Sequence, residues 1–213
     1  MTPDDTQRGC LITLEGGEGA GKSSALPVIE AWIRDRGLEV DTTREPGGTE
    51  SAERLRGLLM DVPDWPPVSE LLLMFAARAE HLRHRIEPAL AAGRWVVCDR
   101  FTDSSYAYQG AARGLGEAAV AQLETLVQGD FRPDLTLIFD LPPEQGIART
   151  RERGVNNRFD TEALTFHETV RQAFLHRARQ APARYAVLDA AQPLEQVREA
   201  LISVLEDKWP TRT

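Results

Sequence analysis

The sequence predicts a single doubly wound α/β domain built on a parallel sheet. Short β-rich runs alternate with helical ones along the chain. Several of those runs are apolar on both faces, as strands covered by helices on both sides must be. The chain has 213 residues, enough for one sizeable core and short for two.

The elements follow in order. CLITLE (10–15) is an apolar first strand, and residues 22–36 read as a helix that ends at Gly37. LEVDTTRE (38–45) is a second strand, and the proline-rich VPDWPP (62–67) is a loop. VSELLLMFAARAEHLRHRIEPAL (68–90) spaces its apolar residues as one long helix, with Gly93 beyond it. RWVVCDR (94–100) is the third strand, and a helix covers 117–128. LTLIFDLP (135–142) is the fourth strand, stopped by Pro142 and Pro143. Helices over 161–180 and 193–206 flank the last strand, YAVLDA (185–190). No repeat or low-complexity linker divides the chain, so residues 1–213 are read as one domain.

Composition narrows the class. Hydrophobic residues are 42% and charged residues 27%, which fits a globular chain rather than a disordered one. A net charge of −8 argues against a sequence-independent grip on nucleic acid. No apolar run approaches the length of a membrane span. The start, MTPDDTQRG, is neither a secretory signal nor an Arg-rich transit peptide, so a cytoplasmic protein is expected. Cys10 and Cys98 each sit in a strand-like run and read as buried thiols. His81 and His84, with Glu80 and Glu87 nearby, lack a third ligand at a usual spacing. They read as a solvated helix face rather than a zinc site.

EGGEGAGKSS (15–24) carries the first chemistry. Gly16-Gly17-Glu18-Gly19-Ala20-Gly21-Lys22-Ser23 fits G-x-x-x-x-G-K-[ST] between a strand and a helix, and Ser24 follows it. Backbone N–H groups and the helix N-terminus cradle phosphates. Lys22 reaches the outer phosphates of ATP, and the Ser23 hydroxyl can ligate Mg²⁺. Pro27, one turn into the helix, removes the N–H that would bond the Ser23 carbonyl. The guanine-reading N-K-x-D of regulatory GTPases is absent, which leaves a small kinase with a second pocket for its acceptor.

VCDRFTDSSYAYQ (97–109) supplies that pocket at the carboxyl end of a strand. Asp99 is placed to hold Mg²⁺ and Arg100 to fork onto a phosphate. Ser104, Ser105, Tyr106, Tyr108 and Gln109 add hydroxyls, an amide and aromatic faces.

This stretch is similar to the signature of thymidylate kinases, which phosphorylate dTMP to dTDP with ATP and Mg²⁺. TREPGGT (43–49), LLLMFAARAEHL (71–82) and DLPPEQGIARTRERG (140–154) resemble the same family in the same order, so the likeness spans about residues 10–190. It implies a P-loop nucleoside monophosphate kinase fold, with a five-stranded parallel sheet and a short lid at about 147–160. It also implies a homodimer, with helix 68–90 as a candidate interface. Arg44 resembles the arginine that joins Arg100 on the dTMP phosphate, and Arg78 the donor to thymine O4. Ser105 and Gln109 fall where the family reads the base edge, and Tyr108 where a ring crowds C2′ of the sugar. Glu18 resembles the acid that faces the acceptor sugar near its 3′-hydroxyl. The family often stacks an aromatic on the base four residues before the arginine; here Met74 holds that place and Phe75 follows it. The phosphate loop carries no arginine of its own. ARTRERGVNNRF (148–159), with Arg149, Arg151, Arg153 and Arg158, resembles the lid of members whose catalytic arginine comes from the lid. Its spacing and Gly-Asn-Asn break read as a mobile loop. Arg151 or Arg153 is the expected catalytic arginine. Other readings are a different nucleoside monophosphate or deoxynucleoside kinase, or a non-catalytic ATP-binding sensor.

Overall fold

The computed structural model describes residues 8–62, 64–153, 159 and 162–210, and of Arg153 only the backbone. The expected lid segment 154–158, Arg158 included, therefore lies outside the described residues, as does the Arg153 side chain.

The strands are β1 (Leu11–Glu15), β2 (Val40–Arg44), β3 (Trp95–Asp99), β4 (Leu135–Asp140) and β5 (Tyr185–Asp189). They form one parallel sheet in the order β2-β3-β1-β4-β5. β1 is central and wholly buried, which is why its sequence is apolar on both faces. Ile12 and Leu14 join Val97, Leu137 and Phe139 on one face, while Leu11 joins Val96 and Cys98 on the other. The two hydroxyls in the middle, Thr13 and Thr136, satisfy each other at 2.9 Å.

The helices are α1 (Lys22–Arg34), α2 (Glu50–Asp61), α3 (Pro67–His81), α4 (Glu87–Ala91), α5 (Thr102–Ser105), α6 (Glu117–Gln128), α7 (Pro143–Arg153), α8 (Leu164–Gln180) and α9 (Leu194–Lys208). α1 and α9 cover one face of the sheet through Ile29, Ile33, Leu201 and Leu205. There Trp95 meets Trp209 edge-on, with ring centroids 4.7 Å apart.

Several elements differ from the sequence reading. α2 went unread because its apolar stripe is narrow: only Ala52 and Leu59 are buried. Its start is nevertheless capped, since Thr49 accepts from the Ala52 N–H at 3.2 Å. The long helix over 68–90 is interrupted by a π turn, Leu82–Ile86, which joins α3 to α4. Part of the expected lid loop is helical, because α7 extends to Arg153 and carries Arg149 and Arg151. His81 is not on a solvated face: it is fully buried, with Nε2 2.8 Å from Thr43 Oγ1 and Nδ1 3.0 Å from Glu45 Oε1. His84 is the exposed one of the two.

All five strands point their carboxyl ends the same way. The segments after β1, β2 and β3 therefore converge at one edge, where ligands bind in parallel α/β sheets.

Candidate functional site

The chain leaves β1 at Glu15 and re-enters helix at Lys22, so the glycine-rich loop lies across the carboxyl edge. Gly16 has φ +138, and a Cβ there would stand 2.5 Å from the Phe139 carbonyl oxygen. The obstacle is backbone of the central sheet and cannot swing away, so only glycine fits. Lys22 is 7% exposed, and its Nζ donates to Gly16 O at 3.0 Å and Gly17 O at 2.9 Å. Burial, reinforced by the Arg100 guanidinium, pulls its pKa down to about 8, against the opposing pull of Asp99, Glu18 and Glu15. Ser23 and Ser24 are exposed at the mouth of the loop.

One cavity opens from this loop. It is lined by Glu18, Arg44, Arg78, Asp99, Arg100, Ser105, Tyr108 and Gln109, together with the phosphate loop. The structure thus brings together residues expected from four separate motifs.

Glu18 turns away from the loop. Its Oε1 accepts from Arg100 Nη2 at 2.8 Å and from the Tyr108 hydroxyl at 3.1 Å. Burial alone would raise the Glu18 pKa, but Arg100 and Lys22 outweigh it and hold the carboxyl below its usual range. Arg100 also donates to Gly16 O at 3.0 Å and Ser104 Oγ at 3.2 Å. Its backbone is left-handed, φ 69, which a non-glycine residue adopts only under constraint. The constraint is Glu15. Its Oε1 accepts from Phe101 N at 2.8 Å, and its Oε2 accepts from the Ser104 hydroxyl at 2.6 Å.

Arg78 lies deeper. It donates to Glu45 Oε2 at 2.7 Å, Ser105 Oγ at 3.1 Å and Phe101 O at 3.0 Å. Arg44 is exposed and held by Glu53 at 2.9 Å, while Glu53 also accepts from Gly48 N. Asp99 Oδ1 is buried without a hydrogen-bond partner among the described residues. Met74 lines the cavity, whereas Phe75 is 2% exposed and packs in the core with Leu71, Tyr106 and Val120. Phe75 is thus placed in the core, not over the ligand cavity. The helical turn that aims Met74 inward points the next residue at α6.

Sequence reasoning missed Arg56, which lines the same cavity from α2 and donates to Pro46 O at 2.9 Å. The only sequence signal was a helix-capping threonine after the REPGG turn. A second cleft lies beyond the loop, between the root of α7 and the start of α9, lined by Arg149, Ala190, Gln192, Val197 and Arg198. Arg149 donates to Ala190 O at 3.1 Å there. Arg151, about 200° further round the helix, is exposed and lines neither cleft.

Two clefts sharing one phosphate loop define a P-loop nucleotide kinase, with a donor side and an acceptor side. Residues 14–201 match the family model described as thymidylate kinase. A thymidylate kinase of Ectopseudomonas mendocina is 56% identical over 199 residues, covering 92% of this chain and 95% of the relative. One from Chromohalobacter salexigens is 51% identical over 212 residues, covering 98% of each. The crystal structure of the thymidylate kinase from Ehrlichia chaffeensis superposes with a TM-score of 0.76 at 32% identity, covering 93% of this chain and 99% of that one. The chain belongs to the thymidylate kinase family.

Proposed function

We infer that this protein phosphorylates dTMP to dTDP with ATP as phosphoryl donor, a step that supplies dTTP for DNA synthesis. Beyond family membership, the observation that carries the reading is the acceptor cavity. Arg100 touches the phosphate loop, as a clamp on a phosphate monoester should. Arg78, Ser105 and Gln109 line the same cavity further in and suit a base edge.

The reaction is in-line transfer of the γ-phosphoryl group to an oxygen of the dTMP phosphate. That oxygen is already anionic at neutral pH, so no strong general base is needed. The loop N–H groups and Lys22 hold the donor phosphates. Arg44 and Arg100 fork onto the acceptor phosphate. Glu18 and Tyr108 face its sugar. A lid arginine, Arg151 or Arg153, neutralises charge on the migrating group. Ser23 and the Asp99 oxygen that has no hydrogen-bond partner among the described residues supply hard oxygen ligands suited to Mg²⁺. When bound, that ion balances charge on the ATP phosphates. Val68 and Leu72, one turn apart on α3 and 56% and 52% exposed, make an apolar stripe suited to a homodimer. No helix of the described residues is long and apolar enough to cross a membrane. That fits work on free nucleotides in the cytoplasm.

ADP release from ATP-Mg²⁺ with dTMP, dUMP, dCMP, dGMP, AMP and thymidine offered separately tests the reading. Fast turnover of dTMP, weaker turnover of dUMP and none of thymidine are expected. Preference for another acceptor would overturn the base-reading roles. ATP binding with no turnover of any acceptor would leave a nucleotide sensor.

The low pKa of Lys22 makes a second expectation. Without bound nucleotide the ammonium is half deprotonated near pH 8, and ATP phosphates push that pKa up. Between the two values the complex binds more protons than the free enzyme. ATP binding near pH 8 therefore takes up a fraction of a proton, and affinity falls as pH rises further. Calorimetry in buffers of different ionisation enthalpy reads this directly. Proton release in place of uptake would contradict it.

A further inference from the structure

Gln109 lies on the π turn Tyr106–Ala112 and lines the acceptor cavity while only 1% exposed. Its side-chain nitrogen donates to Glu70 Oε1 at 2.6 Å. Glu70, on α3, is fully buried, and Arg113 Nε stands 3.8 Å from its other oxygen. A buried carboxylate is expensive to desolvate. Arg113 gives that charge a counterion, yet an ion pair by itself does not require that the acid also hold Gln109.

The chemistry of the pair supplies a reason. A primary amide has two ends, one that donates and one that accepts, and a free side chain can present either. A carboxylate beside a guanidinium only accepts. One proton of the Gln109 nitrogen must then be given to Glu70, and its carbonyl oxygen is the acceptor left for a ligand. We propose that Glu70 is a specificity-determining positioning residue: by fixing the amide of Gln109 it presents an acceptor to the pyrimidine edge. That arrangement admits a base with N3–H and opposes one whose N3 is a bare lone pair.

The proposal rests on the functional reading above and deepens it. Thymine and cytosine invert their donor and acceptor pattern at N3 and C4. Arg78 offers only donors, so it suits the 4-carbonyl of thymine. A locked Gln109 reads the neighbouring atom with the opposite polarity. The two side chains approach from different elements, α3 and the π turn. Each mismatch leaves a buried polar group unpaired, the condition under which a site rejects an analogue most strongly.

The test is steady-state kcat/KM for dTMP and for 5-methyl-dCMP, which keeps the 5-methyl group and changes only the N3 and C4 edge. Wild type, Glu70→Gln and Glu70→Asp are compared. In Glu70→Gln two amides satisfy each other in either orientation, so the lock is lost. The ratio of the two constants is expected to fall by about tenfold or more. Glu70→Asp keeps an acceptor-only partner and should hold the ratio within about threefold, even where both rates drop. A merely structural role lowers both substrates together and leaves the ratio alone in Glu70→Gln, which would overturn the proposal. A ratio that collapses equally in both variants would also overturn it, because packing would then set it. Should Glu70→Gln not fold, proton contacts in the wild-type complex with dTMP decide. A Gln109 amide proton against the Glu70 methylenes is expected, and an amide with both protons directed at the base and none at Glu70 would sink the lock. Failure of wild type to use dTMP at all would instead remove the functional reading, a separate outcome.

Discussion

Arg100→Met is expected to lower kcat/KM for dTMP by about 10²–10³-fold while the protein still folds. Arg100 joins two roles that a methionine cannot fill. Its fork is the cavity's link between the phosphate loop, through Gly16 O, and the acceptor side, through Glu18. Removing it takes the nearest cation from the Glu18 carboxylate and leaves only the Tyr108 hydroxyl and the charge of Lys22 to offset its burial. The acceptor phosphate then loses one of its two arginines, and the Glu18 carboxylate close by goes unshielded by Arg100. Methionine matches the length of the aliphatic stem and keeps contact with the Tyr108 ring, which the guanidinium now overlies at 5.1 Å. Kinetics with dTMP alongside thermal unfolding separates the site effect from a general loss of fold. A variant within a factor of about three of wild type would remove Arg100 from the acceptor clamp.

The second large effect is expected at the lid. Arg151→Ala combined with Arg153→Ala should lower kcat by about 10²-fold or more, with little change in the equilibrium binding of dTMP. The phosphate loop lacks an arginine of its own, since Ala20 and Ser24 flank its Lys22-Ser23 pair. Charge on a migrating phosphoryl group must still be met, and an arginine delivered to it is worth about 10³–10⁵. Arg151 stands exposed on α7, outside both clefts. It therefore contributes nothing to the acceptor cavity in this state, and its removal should spare dTMP affinity. That split between rate and binding distinguishes a transition-state contact from a binding one. A double variant at full rate would end the assignment.

Much of this architecture is legible in the sequence for a simple reason. The three central strands, β3, β1 and β4, are buried on both faces and so read as nearly continuous apolar runs, while the edge strands β2 and β5 show as short β-rich runs between helices. The phosphate loop is equally legible, because its glycines answer to backbone collisions such as that of Gly16 with Phe139 O. What sequence conceals is relation. His81 looks like half of an exposed pair until β2 is laid beside α3 and brings Thr43 and Glu45 to its two nitrogens. Phe75 and Met74 are neighbours, and only packing against α6 decides which enters the core. Arg56 carried no motif, and α2 shows too narrow a buried stripe to announce itself. Glu15, one residue before the motif, reads as the polar end of a strand. Its work, holding Arg100 in a left-handed turn, appears only when β1 and β3 lie side by side.

The fold of Lys22 over Gly16 O and Gly17 O, and of Arg100 onto Glu18, has a further meaning for how ligands enter. Both cations are partnered from within the chain. Each of these cations already rests against a carbonyl or carboxylate of the chain, so an arriving nucleotide meets an occupied electrostatic seat rather than a bare positive well. Phosphate oxygens arriving at this edge must compete with two neutral carbonyls for Lys22 and with one carboxylate for Arg100. Selectivity then depends on how well a newcomer's geometry improves on the residents it replaces.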